Sequence, residues 1–166
     1  MGYHSHVHAL GCGIGERMKK RYAAVVALTM PATMYFEGLE LKAYFDKFGN
    51  VPTLCYGETE GVKMGDTATK PECDERLAIK LGYLSYRVDM LVEPEMPTAV
   101  HAAAVDLVYN VGEGSFKRST MLKKLNAGDF KGACNELTKW VYAGGIKLKG
   151  LVKRREHWRK QCLAGL

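Results

Sequence analysis

The segment Phe36–Gly57, FEGLELKAYFDKFGNVPTLCYG, places two carboxylates and a hydroxyl within a short, glycine-punctuated stretch. Eight residues separate Glu37 from Asp46, and six more separate Asp46 from Thr53. Three glycines divide the segment: Gly38, Gly49 and Gly57. Because glycine reaches backbone conformations that tight turns require, the pattern predicts short, sharply turned elements that carry a functional site.

Glu37 and Asp46 differ in their sequence surroundings. Glu37 follows the apolar run VVALTMPATMYF, so we expect its carboxyl to lie beside hydrophobic surface, which favours the protonated form that a general acid needs. Asp46 precedes a polar turn, where a carboxylate stays ionised. Two carboxyl groups with different protonation states are typical of glycoside hydrolysis. Spacing alone leaves open that both are surface carboxylates flanking a hairpin.

Glu37, Asp46 and Thr53 resemble the Glu/Asp/Thr triad of phage lysozymes, the muramidase endolysins of glycoside hydrolase family 24. The resemblance extends through GETEGVKMGD, VDLVYNVGEGSFKRSTMLKKLNAGDFKGAC, WVYAGG and KGLVKRREHWRKQC, from Phe36 to Cys162. It implies an α+β, mostly helical lysozyme-like fold, with a small sheet lobe, a larger helical lobe and a cleft between them. The implied activity is hydrolysis of the β-1,4 bond between N-acetylmuramic acid and N-acetylglucosamine in peptidoglycan, without a cofactor or metal.

The sequence departs from the family pattern between Asp46 and Thr53. The family has five residues there, whereas this chain has six, KFGNVP. The additional residue falls at Gly49-Asn50, where a hairpin turn tolerates an insertion at little cost. We therefore expect a longer turn and an intact triad.

Composition indicates one domain and a basic surface. The 166 residues carry 24 Lys and Arg against 18 Asp and Glu, a net charge of +6, which favours polyanionic partners such as a cell wall, an anionic membrane or nucleic acid. The chain lacks helix-turn-helix, RNA-binding aromatic and zinc-binding signatures, so we expect no nucleic-acid partner. The basic run KLKGLVKRREHWRK is predicted to be mainly the solvated face of an amphipathic helix.

The first 21 residues are interpreted as a leader. His4, His6 and His8 alternate with other residues but lack the further partners of a metal site, so a disordered segment is favoured over metal binding. From Met18 the sequence MKKRYAAVVAL has the basic start and apolar run of an export signal. We hypothesise that translation begins at Met18.

Residues 22–36 form an apolar run that contains Pro31 and falls short of the roughly 20 residues of a membrane span. We interpret it as an uncleaved signal-anchor preceding a lysozyme domain at 37–166; a cleaved signal peptide and a buried core helix remain alternatives. By resemblance to the signal-anchor-release endolysins of lambdoid phages, the enzyme is held inactive at the periplasmic face of the host inner membrane, then released into the periplasm. A short helix starting near Pro31 then packs on the body. We expect release to bury four residues: Val26, Leu28, Met34 and Phe36.

The remaining chain predicts a sheet followed by helices. Turn signals and alternation between Glu40 and Thr59 predict a small antiparallel sheet, with Thr53, Cys55 and Gly57 on one strand. Thr69 and Pro71 begin a long linking helix, and Thr98 begins a central helix that ends at VGEGSF. Three later helices are predicted, over Ser119–Leu125, Gly128–Tyr142 and Gly150–Leu163.

By resemblance, residues near the end of the central helix contact the sugar: Tyr109, Asn110, Phe116 and Ser119. The amide and hydroxyl of Asn110 and Ser119 suit sugar hydroxyls and amides. For Tyr109 and Phe116, packing in the core is an equally good explanation.

Five cysteines are present: Cys12, Cys55, Cys73, Cys134 and Cys162. A start at Met18 removes Cys12 and leaves an even number, which suits an exported protein with two disulfides. We favour pairing within each lobe, Cys55 with Cys73 and Cys134 with Cys162. The two other pairings and free buried thiols remain open.

The predicted endolysin is a monomer. A non-catalytic peptidoglycan-binding module and a lytic transglycosylase of the same fold are the competing functions.

Overall fold

A computed structural model describes residues 15–47 and 49–166. His4, His6, His8 and Cys12 lie outside the described residues. The elements follow in the order α1 (Glu16–Glu37), β1 (Glu40–Asp46), β2 (Val51–Cys55), α2 (Lys70–Asp89), α3 (Thr98–Val111), α4 (Glu113–Lys117), α5 (Thr120–Asn126), α6 (Phe130–Glu136), a 3-10 turn (Leu137–Lys139), β3 (Tyr142–Ala143), β4 (Ile146–Lys147) and α7 (Lys149–Ala164).

The architecture is the α+β lysozyme-like fold expected from the sequence. β1 and β2 pair antiparallel, and α2 leads from this small sheet into the helical lobe. α3 is the central helix, because every residue from Val100 to Val108 is buried and the helix contacts α1, α2 and α7.

The predicted start of α2 at Thr69 and Pro71 is confirmed. The backbone N–H of Thr69 donates to Glu72 Oε2 at 2.7 Å, and the Thr69 side chain accepts from the Glu72 N–H. This reciprocal arrangement satisfies backbone donors that a helix start leaves free. Pro71 lies in the first turn, where its missing N–H costs nothing. The predicted start of α3 at Thr98 is also confirmed.

α1 differs from the short helix predicted to start near Pro31. It begins at Glu16 and continues through Pro31 to Glu37. Pro31 cannot donate to the carbonyl of Ala27, but both residues are exposed, so water can satisfy that carbonyl. No helix within residues 15–47 and 49–166 combines the length and apolarity needed to cross a membrane.

The buried face of α1 is also not the predicted one. Its buried residues are Tyr22, Val25, Thr29 and Thr33, whereas Leu28 is exposed and Val26, Met34 and Phe36 are half-buried. The two threonines can be buried because each hydroxyl donates to a carbonyl four residues earlier, at 2.7 Å from Thr29 to Val25 and 3.1 Å from Thr33 to Thr29. Polarity alone therefore misassigned this face.

The helix predicted over Gly128–Tyr142 is shorter than expected. α6 ends at Glu136, and the chain then forms a 3-10 turn and the β3–β4 hairpin. Gly144 and Gly145 form the hairpin tip with φ of +56° and +78°, which is the type I′ geometry that glycine favours. Tyr142 thus lies on a strand and not at a helix end.

Both favoured disulfides are present. Cys55–Cys73 joins the end of β2 to the first turn of α2, and Cys134–Cys162 joins α6 to α7. Their Cα–Cα distances are 5.1 and 5.7 Å, within the usual range for a disulfide. Each bridge therefore closes one lobe on itself.

Candidate active site

Glu37 is the last residue of α1, and Gly38, with φ of +73°, ends the helix. The Glu37 side chain is 21% exposed, and Arg154 Nη1 on α7 donates to its Oε1 at 2.6 Å. A cation is therefore the hydrogen-bonding partner of this carboxylate, a contact that the sequence analysis did not predict. The contact joins residues 117 positions apart in the chain.

Arg154 is held by Asp106 at the centre of α3. Its Nε and Nη2 lie 2.9 Å from Asp106 Oδ2 and 2.7 Å from Oδ1, a two-point contact that fixes the guanidinium plane. Both side chains are buried, at 4% and 1% exposure. Burial by itself would lower the pKa of Arg154, but the hydrogen bonds and charge of Asp106 and Glu37 outweigh it and raise the pKa.

Arg155 connects this network to Trp140, which follows the 3-10 turn. Its Nε donates to the Trp140 carbonyl at 3.1 Å, its Nη1 lies 3.3 Å from Asp106 Oδ2, and its Nη2 donates to Asn110 Oδ1. Asn110 is one of the predicted sugar contacts. It is exposed, and the buried Arg155 positions its side chain.

The strand pair positions the other two triad residues. Asp46 faces Val51 and Tyr44 faces Thr53 across the β1–β2 ladder. Thr53 is 3% exposed, and its Oγ1 donates to the Val51 carbonyl at 3.3 Å. Burial raises the pKa of Tyr44, and the charges of Asp46, Glu40 and Glu37 raise it further. The charges of Glu37 and Asp46 thus both raise the pKa of the Tyr44 hydroxyl.

The turn between β1 and β2 accommodates the six-residue spacing. Asn50 has a φ of 53°, and a Cβ atom on Gly49 would lie only 2.9 Å from Asp46 Oδ2. Such an approach is shorter than a van der Waals contact. Glycine at position 49 therefore leaves the space that the Asp46 carboxylate occupies.

The turn after β2 runs beside Glu37. Leu54 and Glu58 exchange backbone hydrogen bonds of 2.9 Å, and Cys55 and Gly57 take positive φ values of 56° and 86°. Positive φ is unfavourable for cysteine, and its disulfide to Cys73 helps to hold the turn. A Cβ on Gly57 would lie 3.5 Å from Glu37 Oε2.

The four predicted sugar contacts lie in different environments. Tyr109 is half-buried and its hydroxyl donates to the Tyr56 carbonyl at 2.6 Å, which links the helical lobe to the turn beside Glu37. Phe116 is fully buried in the hydrophobic core. Ser119 caps α5 by accepting from the Leu122 N–H at 3.0 Å, and it lines an open groove of about 480 Å³.

The sequence that forms these elements matches a known protein family. A phage lysozyme family model matches residues 34–157, which include the triad segment and Arg154. The chain belongs to the phage lysozyme family.

Known endolysins are similar to this lysozyme in sequence and in structure. The SAR-endolysin of Enterobacteria phage P21 is 42% identical over 130 residues, covering 78% of each chain. The SAR-endolysin of Escherichia phage Mu is 34% identical over 154 residues, covering 87% of this chain and 90% of its own. The endolysin from Escherichia coli O157:H7 phage FAHEc1 has a TM-score of 0.72 at 28% identity, covering 83% and 92% of the two chains. This lysozyme is a peptidoglycan-hydrolysing endolysin, a glycoside hydrolase.

Sequence reasoning missed the charged partners of Glu37. The run containing Arg154 and Arg155 was predicted to be mainly solvated, but both side chains are buried, at 4% and 1% exposure. A signal was available in α3, where Asp106 is the single acidic residue of a mostly apolar helix. A buried carboxylate requires a partner, and an arginine pair elsewhere in the chain is the natural candidate.

Proposed function

We propose that Glu37 protonates the glycosidic oxygen and that Asp46, with Thr53, positions and activates the water that attacks C1 from the other face. The bond is the β-1,4 linkage between N-acetylmuramic acid and N-acetylglucosamine. The proposal is supported by the resemblance of the three residues to the family triad and by the position of Tyr44, which pairs with Thr53 across the β1–β2 ladder and whose pKa is raised by the charges of Asp46 and Glu37.

Arg154 has a positioning role in this proposal. It holds Glu37 Oε1 at 2.6 Å, which leaves Oε2, on the side of Gly57, to carry the proton toward the substrate. Because Asp106 fixes Arg154 from behind, the Glu37 carboxyl is anchored to the centre of the helical lobe.

The direct test is Glu37→Gln. The amide oxygen can still accept from Arg154 but the side chain cannot donate an acidic proton, so we expect a rate loss of about 10²–10⁴-fold in clearing permeabilised Gram-negative cells. The matched control is Glu40→Gln, an exposed carboxylate on β1, which should clear at the parent rate. Parent-rate clearing by Glu37→Gln would refute the acid role.

Thr53→Glu tests the water-binding side. A carboxylate at this position would displace the water and trap the sugar as a covalent glycosyl-enzyme adduct, visible by mass spectrometry. Normal turnover by this variant would contradict the role of Thr53.

Gly49→Ala tests Asp46 without altering a triad residue. The added methyl group displaces the Asp46 carboxylate, and small misplacements of reacting groups can cost about 10²-fold in rate. Gly82→Ala is the control, because a Cβ there meets nothing within 4 Å. Equal activity of the two variants would show that the position of Asp46 is unimportant.

The competing functions give different products. A binding module would bind peptidoglycan without clearing cells. A transglycosylase would release 1,6-anhydro sugars, whose mass lacks one water relative to the hydrolysis product. Hydrolysed ends with a free reducing group support the lysozyme reaction.

We also propose that residues 1–21 are a leader, that translation starts at Met18, and that residues 22–36 anchor the inactive enzyme in the host inner membrane until it is released to the periplasm. Residues 23–36 carry no charged side chain, and the relatives from phages P21 and Mu are named SAR-endolysins. In the anchored form Glu37 would be held at the bilayer surface, away from Arg154.

The packing of α1 determines how this proposal is tested. Thr29 and Thr33 are buried, so leucine there would disturb the folded enzyme, whereas Ala23, Ala24 and Ala27 are exposed. Their triple replacement by leucine should therefore retain the segment in the membrane and delay lysis without altering the triad. The control is the same triple replacement by glutamine.

Carbonate-resistant membrane association and lysis time give the readout. Release of the leucine variant on the parent schedule would overturn the anchor, and so would a mature protein cut before Glu37. A natively produced peptide that spans Met18 from the upstream side would overturn the proposed start.

A further inference from the structure

The outward face of α1 is apolar along most of the helix. Its exposed residues between positions 23 and 36 are Ala23, Ala24, Ala27, Leu28, Pro31 and Tyr35, and Leu28 and Tyr35 are 38% and 80% exposed. A surface helix of a soluble protein normally carries charged residues on this face. A contiguous exposed apolar surface with a polar rim usually marks an interaction site.

This face continues into a groove between α1 and α7. The groove has a volume of about 450 Å³ and is lined by α1 residues that include Leu28, Pro31 and Tyr35, and by His157 and Gln161 of α7. At its end the rings of Phe36 and His157 meet edge to face, with centroids 5.9 Å apart. The apolar surface is therefore bounded by polar side chains of α7.

Lysines flank the apolar face at the start of α1 and along α7. Lys19 and Lys20 are exposed at the start of α1, and Lys153 and Lys160 are exposed on α7. Lys153 and Lys160 lie four residues before and three residues after His157, so they occupy the same side of α7 as the groove. Glu156 lies between Lys153 and Lys160 on the same side of α7, and Glu16 is exposed in the first turn of α1. The four lysines outnumber these two glutamates, so the rim is basic.

We propose that the folded enzyme binds the surface of an anionic phospholipid bilayer through this face of α1. The apolar side chains would enter the boundary between headgroups and acyl chains, with Tyr35 at the interface, and the lysines would contact lipid phosphates. This combination is typical of helices that lie in the plane of a membrane. A second copy of the chain is a poorer partner, because two basic rims would repel each other.

This binding differs from anchoring by residues 22–36 and does not depend on it. α1 remains packed on the body, with Tyr22 Oη donating to Asp89 Oδ2 at 3.0 Å and Val25 buried, and Glu37 keeps its contact with Arg154. The alternative is that the apolar face serves only the anchored form of residues 22–36. In that case the folded enzyme would not bind vesicles.

The experiment is co-sedimentation of the purified full-length chain with two kinds of vesicle. One is an equal mixture of phosphatidylglycerol and phosphatidylcholine, and the other is phosphatidylcholine alone. We expect binding to the first that falls as salt is added, with the near-ultraviolet circular dichroism of the folded protein retained. Absence of binding, or binding accompanied by loss of the folded spectrum, would overturn the proposal.

Two variants and their controls locate the surface. Leu28→Ser with Tyr35→Ser should weaken binding by about tenfold or more, and Lys153→Glu with Lys160→Glu by a comparable factor. The controls are Tyr142→Ser with Ile146→Ser, an exposed aromatic and aliphatic pair elsewhere, and Lys131→Glu with Lys147→Glu. Equal losses in variants and controls would overturn the assignment of α1. Concentration-dependent dimerisation in solution, abolished by Leu28→Ser with Tyr35→Ser, would assign the face to a second copy instead.

Discussion

α1 and α7 meet at Glu37, and each buries polar side chains in a different way. In α1, Thr29 and Thr33 satisfy their hydroxyls within their own helix, while alanines face solvent. In α7, Arg154 and Arg155 are buried and depend on Asp106, about 50 residues away in the chain. A locally satisfied group can be replaced at little cost, whereas a group satisfied across the fold cannot.

The largest effect is expected from Asp106→Asn. Removing this carboxylate leaves Arg154 and Arg155 buried with one fewer counter-charge, and breaking a buried pair typically costs about 3–5 kcal/mol. Urea unfolding measures the free-energy loss, with Glu156→Gln on the exposed side of α7 as the control. A loss below about 1 kcal/mol would show that the buried pairs of α7 are no more sensitive than surface ones.

Covalent attachment is a second difference between the helices. α7 is linked to α6 by Cys134–Cys162, which closes a loop with a sequence separation of 28, whereas α1 is held by non-covalent contacts. Replacing both cysteines by alanine should lower the free energy of unfolding by about 3–4 kcal/mol. Thermal unfolding with and without reductant checks this value. An unchanged unfolding temperature in the double-alanine variant would contradict the predicted loss of stability.

The docking of α1 should be sensitive to acid through His101. This side chain is fully buried on α3, its ring 6.2 Å from that of Tyr22 on α1. Its Nδ1 is 4.0 Å from Asp89 Oδ1 on α2, and Arg21 Nη2 on α1 is 3.0 Å from the same oxygen. Burial lowers the pKa of His101 to about 4, against the opposing charge of Asp89.

The sign of the pH effect follows from that direction. Between the unfolded-state pKa of about 6.5 and the folded value, the unfolded chain binds more protons, so stability falls as pH falls through this window. The loss reaches about 3 kcal/mol at the lower end. Urea unfolding at a series of pH values should show this slope, and His101→Gln should flatten it. An unchanged slope in the variant would exclude His101 as its cause.

The smallest effect is expected within α1. Thr29→Val removes a hydroxyl whose acceptor, the Val25 carbonyl, still receives the helical N–H, so the free energy of unfolding should change by less than about 1 kcal/mol. Thr29→Leu instead overfills a fully buried site and should cost about 1–3 kcal/mol. Urea unfolding measures the change in unfolding free energy for both variants. Equal changes would mean that loss of the Thr29 hydroxyl costs more than the larger side-chain volume of leucine.

Much of the fold was predictable because its determinants are local. The starts of α2 at Thr69 and of α3 at Thr98 and the turn at Gly49 are each specified by neighbouring residues. Gly57 was predicted to lie on the strand with Thr53 and Cys55, but it lies in the turn after β2. Placing the cysteines on those elements favoured one disulfide pairing over two others, and the favoured pairing is present. The buried face of α1 was not predictable from hydrophobicity. Threonine can be buried as readily as valine once its hydroxyl donates a hydrogen bond to a carbonyl of its own helix.

The candidate site was predictable only in part. The triad residues were assigned by their resemblance to the family triad, because their spacing alone left a pair of surface carboxylates open. The partner of Glu37 lies 117 residues away, in a run whose charge suggested solvent. Phe116 also illustrates the limit, since a residue chosen by resemblance as a sugar contact is fully buried in the core. Residue type indicates what a side chain can do, and tertiary packing decides whether it is accessible.

The end of α1 has a consequence for the order of assembly. Glu37 places negative charge where the carbonyls of a helix end already create a negative potential, and the last turn of α1 contains no basic residue. The compensating charge comes from Arg154, near the opposite end of the chain. During synthesis from the N-terminus, the final turn of α1 and its carboxylate lack this charge until almost the whole protein has been made. The site therefore matures last, and a truncated or nascent chain carries Glu37 without its partner.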